Sequence, residues 1–488
     1  MKKSKYILIF LGAMLLSSCE GIINFSGLFN SSSSVSNSGE YISSTESNNN
    51  TSTSSNNSNS LVSSDKVSSV VNDPNGVKRL NFTNTVQELD YVYGALPSIG
   101  KPKALVIPVE FPDATASKKG CQISLIEKAF NGDSKDVEWE TVNSFFKKSS
   151  YGKVDVEFDV MDSWYKTKNN STYYQNYKSN TSYYVDPAEI IIKEYLTENP
   201  HKLNFANYDT NGDSYIDAIY VIYTKSVDYN DSNSMWWAYQ YYYMNEDYFD
   251  GVTPYYFMFA GYEFLTENNA KCDTHTFIHE TGHLFGLEDY YDYDENRGIK
   301  SGGLAGADIM DYTVGDHNPF SKMLLGWANN PLLVTTKSSV TIDLEAFQRN
   351  GDFVILANNF DESLSMYQEY FIVEYWTPDG LNEYDAGNYH YSTSGIRVLH
   401  VTANLQTSDG YTYFKYENSY AAQKLLTLHP ANGANISSST EASNDFLYTP
   451  SKYSTFSGAR YNNRVKLGYT FTVNSLSKDY ANITFTKI

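Results

Sequence analysis

The stretch Asp273-Thr-His-Thr-Phe-Ile-His279-Glu280-Thr-Gly-His283-Leu-Phe-Gly286-Leu-Glu288-Asp289 decides how this chain is read. Its pattern predicts a helix over Thr274–Phe285, with Asp273 as the cap. Side chains four apart on a helix lie one turn above each other. His279 and His283 therefore share a face, and their ring nitrogens can hold one zinc ion. Glu280 lies beside that face, where it can take a proton from a water that the metal polarises. With 8 His in the chain, a chance H-E-x-x-H is expected well under once.

A catalytic zinc needs a third protein ligand and an open fourth position. Gly286, three after His283, can adopt a left-handed conformation and end the helix. The chain then doubles back, and Asp289 is the natural third ligand. Glu288, Asp292 and Asp294 are the nearby alternatives. His275 is not one, because eight residues of helix separate it from His283, ~12 Å of rise. Two imidazoles that far apart cannot meet one ion at ~2 Å.

Composition sets the surroundings of this motif. The chain has 488 residues, with 36 Lys+Arg against 57 Asp+Glu, a net charge of −21. That balance argues against a nucleic-acid partner, which requires a basic face to displace counterions. Three cysteines exclude a disulfide scaffold at this length. The length fits two or three domains, and 41% hydrophobic residues suffice for sizeable cores.

Residues 1–18 read as a secretory signal: Lys2, Lys3 and Lys5, then an apolar run from Tyr6 to Leu16. The run is shorter than the ~20 residues that span a bilayer. Leu16-Ser17-Ser18-Cys19 is similar to a bacterial lipobox, which implies cleavage before Cys19 and lipidation of its thiol. The expected location is extracytoplasmic, with the membrane touched through that lipid alone. Residues 19–75, mostly Ser, Asn and Thr over 31–64, bury nothing and read as a disordered tether.

The folded part reads as two regions. Over 76–335, strands are expected at Lys103–Phe111, Lys153–Val160 and Ala218–Tyr223, with an edge strand near Met235–Tyr239. Helices are expected at Ile123–Phe130, Val137–Lys148, Asp186–Leu196 and Pro319–Trp327. Asp186-Pro187-Ala188-Glu189 is a strong helix start: a cap, Pro at the first position, and Glu three after the cap. Over 336–488 short strands follow without helical periodicity: Ser339–Leu344, Phe353–Ala357, Tyr370–Tyr375, Gly395–Val401, Leu425–Leu428, Thr470–Val473 and Asn482–Thr486. An α/β (α+β) domain followed by an all-β, sandwich-like domain is the resulting fold class.

A second candidate site is Asp209-Thr-Asn211-Gly-Asp213-Ser-Tyr215-Ile-Asp217. Oxygens at positions one, three, five, seven and nine are those of a calcium loop. The loop lacks Gly at position six and Glu at twelve, where Ser214 and Tyr220 stand. Calcium and a plain polar turn are both open readings. Cys121 and Cys272 could pair. The runs Trp236-Trp237 and Tyr239-Gln-Tyr-Tyr-Tyr243 could form a sticky face, the basis of an alternative reading as a non-catalytic binding lipoprotein.

Downstream of the helix lies Ala307-Asp308-Ile309-Met310-Asp311-Tyr312. H-E-x-x-H-x-x-G-x-x-D followed by a Met-containing turn resembles the metzincin zinc peptidases. The resemblance implies that Met310 floors the metal and that Tyr312 assists the transition state. Ser144-Phe-Phe-Lys-Lys-Ser-Ser-Tyr-Gly-Lys-Val154, Lys322-Met-Leu-Leu-Gly-Trp327, Tyr370-Phe-Ile-Val-Glu-Tyr375 and Gly395-Ile-Arg-Val-Leu-His400 narrow the likeness. Together they resemble the immune inhibitor A family of secreted peptidases (peptidase family M-six), over roughly residues 95–488. The resemblance implies a metzincin-like zinc endopeptidase acting on proteins or peptides outside the cell. Many relatives carry a long N-terminal pro-segment, and here a Ser/Asn tether stands in its place.

Overall fold

A computed structural model describes residues 76–488, apart from 90–91, 93, 179–184, 200–202, 229–233, 246, 267–270, 293–302, 389, 409, 420–422 and 438–439. The signal segment, Cys19, the tether and Asp294 lie outside the described residues.

The strands in chain order begin with β1 (Val77–Arg79), β2 (Lys103–Glu110), β3 (Glu157–Val160), β4 (Tyr165–Lys166), β5 (Ala218–Tyr223), β6 (Tyr239–Tyr242) and β7 (Tyr256–Gly261). One sheet runs β3-β2-β5-β7-β6, with β4 also on β2. Its pairings are parallel except at the edge, where β6 runs antiparallel to β7. The continuous apolar runs of β2 and β5 follow from burial on both faces. Ala218, Tyr220 and Ile222 enter one core, whereas Ile219, Val221 and Tyr223 enter the other. Pro108 sits in β2 where its neighbour changes from β3, paired up to Val106, to β4, paired from Val109. A residue without an amide hydrogen is tolerated at such a gap in the ladder.

Helices cover both faces. Pro187–Glu198 packs on the second core, and its start is built as the sequence predicts. The Asp186 carboxylate accepts from the Ala188 amide, and Glu189 accepts from the Asp186 amide. The other face carries Ile123–Asn131, Val142–Ser149 and His275–Leu284. Val142–Ser149 starts five residues later than the sequence suggested, because Thr141 and Ser144 cap each other there. The edge strand also lies later than expected, at Tyr239–Tyr242 rather than Met235–Tyr239. Between Ser339 and Lys487 strands predominate, but the region is not all-β as the sequence suggested, because Phe347–Asn350 and Glu383–Asn388 form short helices.

The later strands are β8 (Leu332–Val334), β9 (Ser339–Glu345), β10 (Val354–Leu356), β11 (Glu369–Trp376), β12 (Gly395–Thr402), β13 (Leu405–Ser408), β14 (Tyr411–Phe414), β15 (Leu426–Leu428), β16 (Thr455–Phe456), β17 (Tyr469–Leu476) and β18 (Tyr480–Lys487). One sheet is β1-β8-β10-β11-β12-β15 and another is β16-β17-β18-β9. Phe371, Val373 and Tyr375 of β11 share a core with Phe471 of β17 and Ile483 and Phe485 of β18. Tyr370, Ile372 and Trp376 of the same strand enter the core that also holds the His275–Leu284 helix. The six-stranded sheet is therefore a middle layer, buried on both sides. Val77–Arg79 and Leu332–Val334, which the sequence placed before the domain boundary at 335/336, are strands of this sheet.

Candidate metal centre

The His275–Leu284 helix docks on the sheet through Phe277, which meets Phe130 edge-on at 5.7 Å, and Thr281, 3.0 Å from the Tyr220 hydroxyl. Asp273 accepts from the His275 amide at 2.9 Å and starts the helix, with Thr274 in the cap position. The helix ends as the sequence predicts. Gly286 has φ +96°, and the Leu287 amide donates back to the Gly282 carbonyl at 3.1 Å. A Cβ on Gly286 would stand 2.2 Å from the Val92 side chain, so only glycine lets the chain turn here.

That turn brings Asp289 back to the histidines. Its Oδ1 lies 3.0 Å from His279 Nε2 and 3.2 Å from His283 Nε2, and the two Nε2 atoms are 3.2 Å apart. Among the described residues this is the one His/Cys/Asp/Glu group whose ligand atoms converge. Asp292, an alternative, instead pairs with Lys424 at 2.7 Å. His275 is outside the group, as its spacing required.

The donor set fits a zinc ion. Each Nδ1 faces a backbone carbonyl, Ile309 for His279 at 2.7 Å and Leu287 for His283 at 2.8 Å. A carbonyl only accepts, so each Nδ1 carries the hydrogen and a neutral ring turns its Nε2 lone pair inward. Two such lone pairs and a carboxylate oxygen then face one another inside the protein. Ligands in a tetrahedron of ~2.0–2.1 Å bonds stand ~3.3 Å apart, close to the spacings here. Without a metal, the Asp289 charge draws a proton onto the inward nitrogens, the position a cation would take. Burial opposes charge on His283, yet the Asp289 carboxylate raises its imidazole to about 10. Burial likewise opposes charge on Asp289, but His283 and His279 hold it well below the usual carboxylate range.

Glu280 is 4% exposed, and its Oε2 has no hydrogen-bond partner. Burial raises its carboxyl, against the opposing pull of His279 and His283 and a smaller one from the Gln240 backbone of the edge strand β6. Met310 is fully buried, with its sulfur where a Cβ on Gly282 would stand, at 2.4 Å. The floor expected of Met310 is thus packed directly on the histidine helix. Tyr312 is half-buried in the same turn, its amide donating to the Asp308 carbonyl at 3.0 Å; burial and Glu441 raise its hydroxyl.

Sequence reasoning missed the support behind the turn. The Asp308 carboxylate accepts from the Met310 amide at 3.0 Å and from Asn318 Nδ2 at 2.8 Å. Asp316 accepts from Ser149 at 2.6 Å and from Lys322 at 2.6 Å, and Ser149 meets His317 Nδ1 at 3.0 Å. Lys322 lies 4.2 Å from the Tyr151 ring centre. The Ser-Ser-Tyr-Gly and Lys-Met-Leu-Leu-Gly-Trp blocks of the sequence are the two halves of this buried network.

The Asp209–Asp217 loop is a self-capped turn. Asp209 accepts from the amides of Gly212, Asp213 and Ser214. Asn211 donates to Asp213, and Asp213 accepts from the Tyr215 amide. Asp217 turns instead to Thr210 and to the Lys103 amide. Among the described residues Asp209, Asp213 and Asp217 form no convergent ligand group. Cys121 and Cys272 are free thiols, each raised by burial, to about 11 and about 12. Trp236, Tyr239 and Tyr243 are buried, so much of the aromatic run is packing rather than an exposed face. Among the described residues no helix is long and apolar enough to cross a membrane. Compared with known families and curated proteins, the chain matches no family model and no curated protein.

Proposed function

We propose that this chain is a zinc-dependent endopeptidase of the immune inhibitor A type, held at the outer face of a bacterial membrane by lipid on Cys19. The observation that carries the reading is the facing of His279 Nε2, His283 Nε2 and Asp289 Oδ1 within 3.2 Å, beside a buried, unpartnered Glu280 oxygen.

Zinc, when bound, supplies a Lewis acid that polarises a water and the scissile carbonyl. His279 and His283 are fixed for this by their Nδ1 bonds to the Ile309 and Leu287 carbonyls. Asp289 contributes the negative charge. Glu280 takes the water's proton and later gives it to the leaving amine. Its carboxyl is buried next to His279, with one oxygen left without a hydrogen-bond partner. Tyr312, two residues beyond Met310, is assigned to hydrogen-bond the developing oxyanion. The Gln240 amide belongs to an edge strand, and an extended peptide can add to such an edge through main-chain hydrogen bonds. That favours proteins and peptides as substrates over smaller esters or amides.

The test is cleavage of casein and of a broad peptide library by the purified protein. Activity should vanish on chelation and return with stoichiometric zinc. A zinc-loaded protein inert on both substrates would instead favour a non-catalytic binding lipoprotein.

A further inference from the structure

The Met310 turn is held from the C-terminal β module at alternate carbonyls. The Leu428 amide donates to Gly303 at 3.0 Å, the Ala442 amide to Ala305 at 2.9 Å, and Arg397 Nη1 to Ala307 at 2.9 Å. The next alternate carbonyl, Ile309, accepts from His279 Nδ1. One short segment thus carries the module's bonds and a metal ligand's orienting bond in a single series. Gly303, Ala305 and Gly306 all have positive φ, between 57° and 79°, so the segment is in a conformation that its own residues do not favour throughout.

Arg397 is the side chain in this series. It is 3% exposed on β12, and its Nε bonds to Glu374, 1% exposed on the neighbouring strand β11. The guanidinium fork is fixed by that pair and spends its other arm on the Ala307 carbonyl. Asn418, also buried, reaches the other side of the site: its Nδ2 donates to the Tyr290 carbonyl at 3.0 Å, next to Asp289.

We infer that the β module is part of the metal centre, with Arg397 a positioning residue that fixes the Ala307–Met310 turn and through it the ring of His279. The module is then not a detachable binding domain, since the turn takes its shape from bonds the module supplies. Partners that orient a metal-binding histidine typically matter 10–100-fold in metal affinity, and Arg397 acts one step further out, through the turn.

The inference rests on the zinc reading for one readout only, so two are measured on the full folded chain. The variant is Arg397→Met/Glu374→Leu, which removes the buried pair together; buried Asp308, which also faces the Arg397 charge, keeps its bonds to Asn318 and the Met310 amide. Zinc affinity is read by competition with a chromophoric chelator, and amide exchange of residues 308–313 is read in metal-free protein. We expect zinc affinity ~10-fold weaker and exchange at least ~10-fold faster, with thermal unfolding no lower than wild type. Unchanged exchange in the folded variant overturns the inference, whatever zinc does. If wild type binds no zinc, the functional reading fails while the exchange comparison still decides this one. Should the double variant fail to fold, Arg397→Lys is the second test. It keeps the charge against Glu374, but its single ammonium cannot fork to Ala307. Faster exchange at 308–313 is again expected, and wild-type exchange there overturns the inference.

Discussion

Gly282→Ala tests the contact between the histidine helix and the Met310 floor. The added methyl would lie 2.4 Å from the Met310 sulfur and 3.1 Å from its terminal carbon. Ordinary contact is about 3.5–4.0 Å, so the thioether must move by more than 1 Å or the helix must lift. Two effects oppose each other. Alanine gains about 1 kcal/mol of helix propensity over glycine. Overpacking a filled core costs about 1–3 kcal/mol. A Met is flexible and normally cheap to displace, but Met310 is fully buried and its backbone is pinned on both sides. The upper part of the overpacking range therefore applies, and net destabilisation of about 1–2 kcal/mol is expected. The same shift displaces His279 and His283, so zinc affinity should fall ~10-fold or more. The assays are chemical denaturation of the metal-free protein and chelator competition. Gly282→Ala/Met310→Ala should recover much of the affinity, because the second change vacates the space the first one needs. A single variant that is more stable than wild type and binds zinc normally would show propensity winning, and the packed-floor argument would be refuted.

Asp289→Asn should weaken zinc binding by at least ~100-fold while leaving the metal-free fold intact, as measured by chelator competition and thermal melting. Lys322→Met leaves the Asp316 carboxylate buried without its cation and should cost about 3–5 kcal/mol in denaturant unfolding, whereas Lys322→Met/Asp316→Asn should cost much less. Tyr312→Phe should lower kcat with KM and zinc content near wild type; unchanged kcat would remove Tyr312 from the mechanism. Glu189, raised by burial to about 7 in the folded chain, binds its proton more tightly folded than unfolded. Its contribution to stability is full below about pH 4.5 and is lost as pH rises to about 7, so Glu189→Gln should flatten the melting temperature across that window.

Local features were legible where one residue type answers one local need. Asp186, Pro187 and Glu189 announce a helix start because the unpaired amides there need those groups. Gly286 marks the turn because the left-handed conformation that ends the helix there suits glycine. His279, Glu280, His283 and Asp289 were readable because helical spacing and one turn bring them together. The buried ion pairs were not, since Lys322 and Asp316, or Arg397 and Glu374, carry no local pattern that says what they face. Val77–Arg79 was missed because three residues show no periodicity, and their pairing with Leu332–Val334 is a contact between distant parts of the chain. The Asp209–Asp217 loop is ambiguous in the opposite way. Its acidic spacing suits calcium, but the same carboxylates also suit the loop's own amides, and spacing cannot separate the two.

The most direct test compares zinc-loaded wild type with Glu280→Gln, measuring bound zinc and the rate of peptide cleavage on the same samples. Glu280 is placed as a base and not a ligand, so both proteins should hold one zinc per chain. Cleavage by the variant should fall ~10²–10⁴-fold. Equal cleavage by both proteins, or wild type without stoichiometric zinc, would contradict the account.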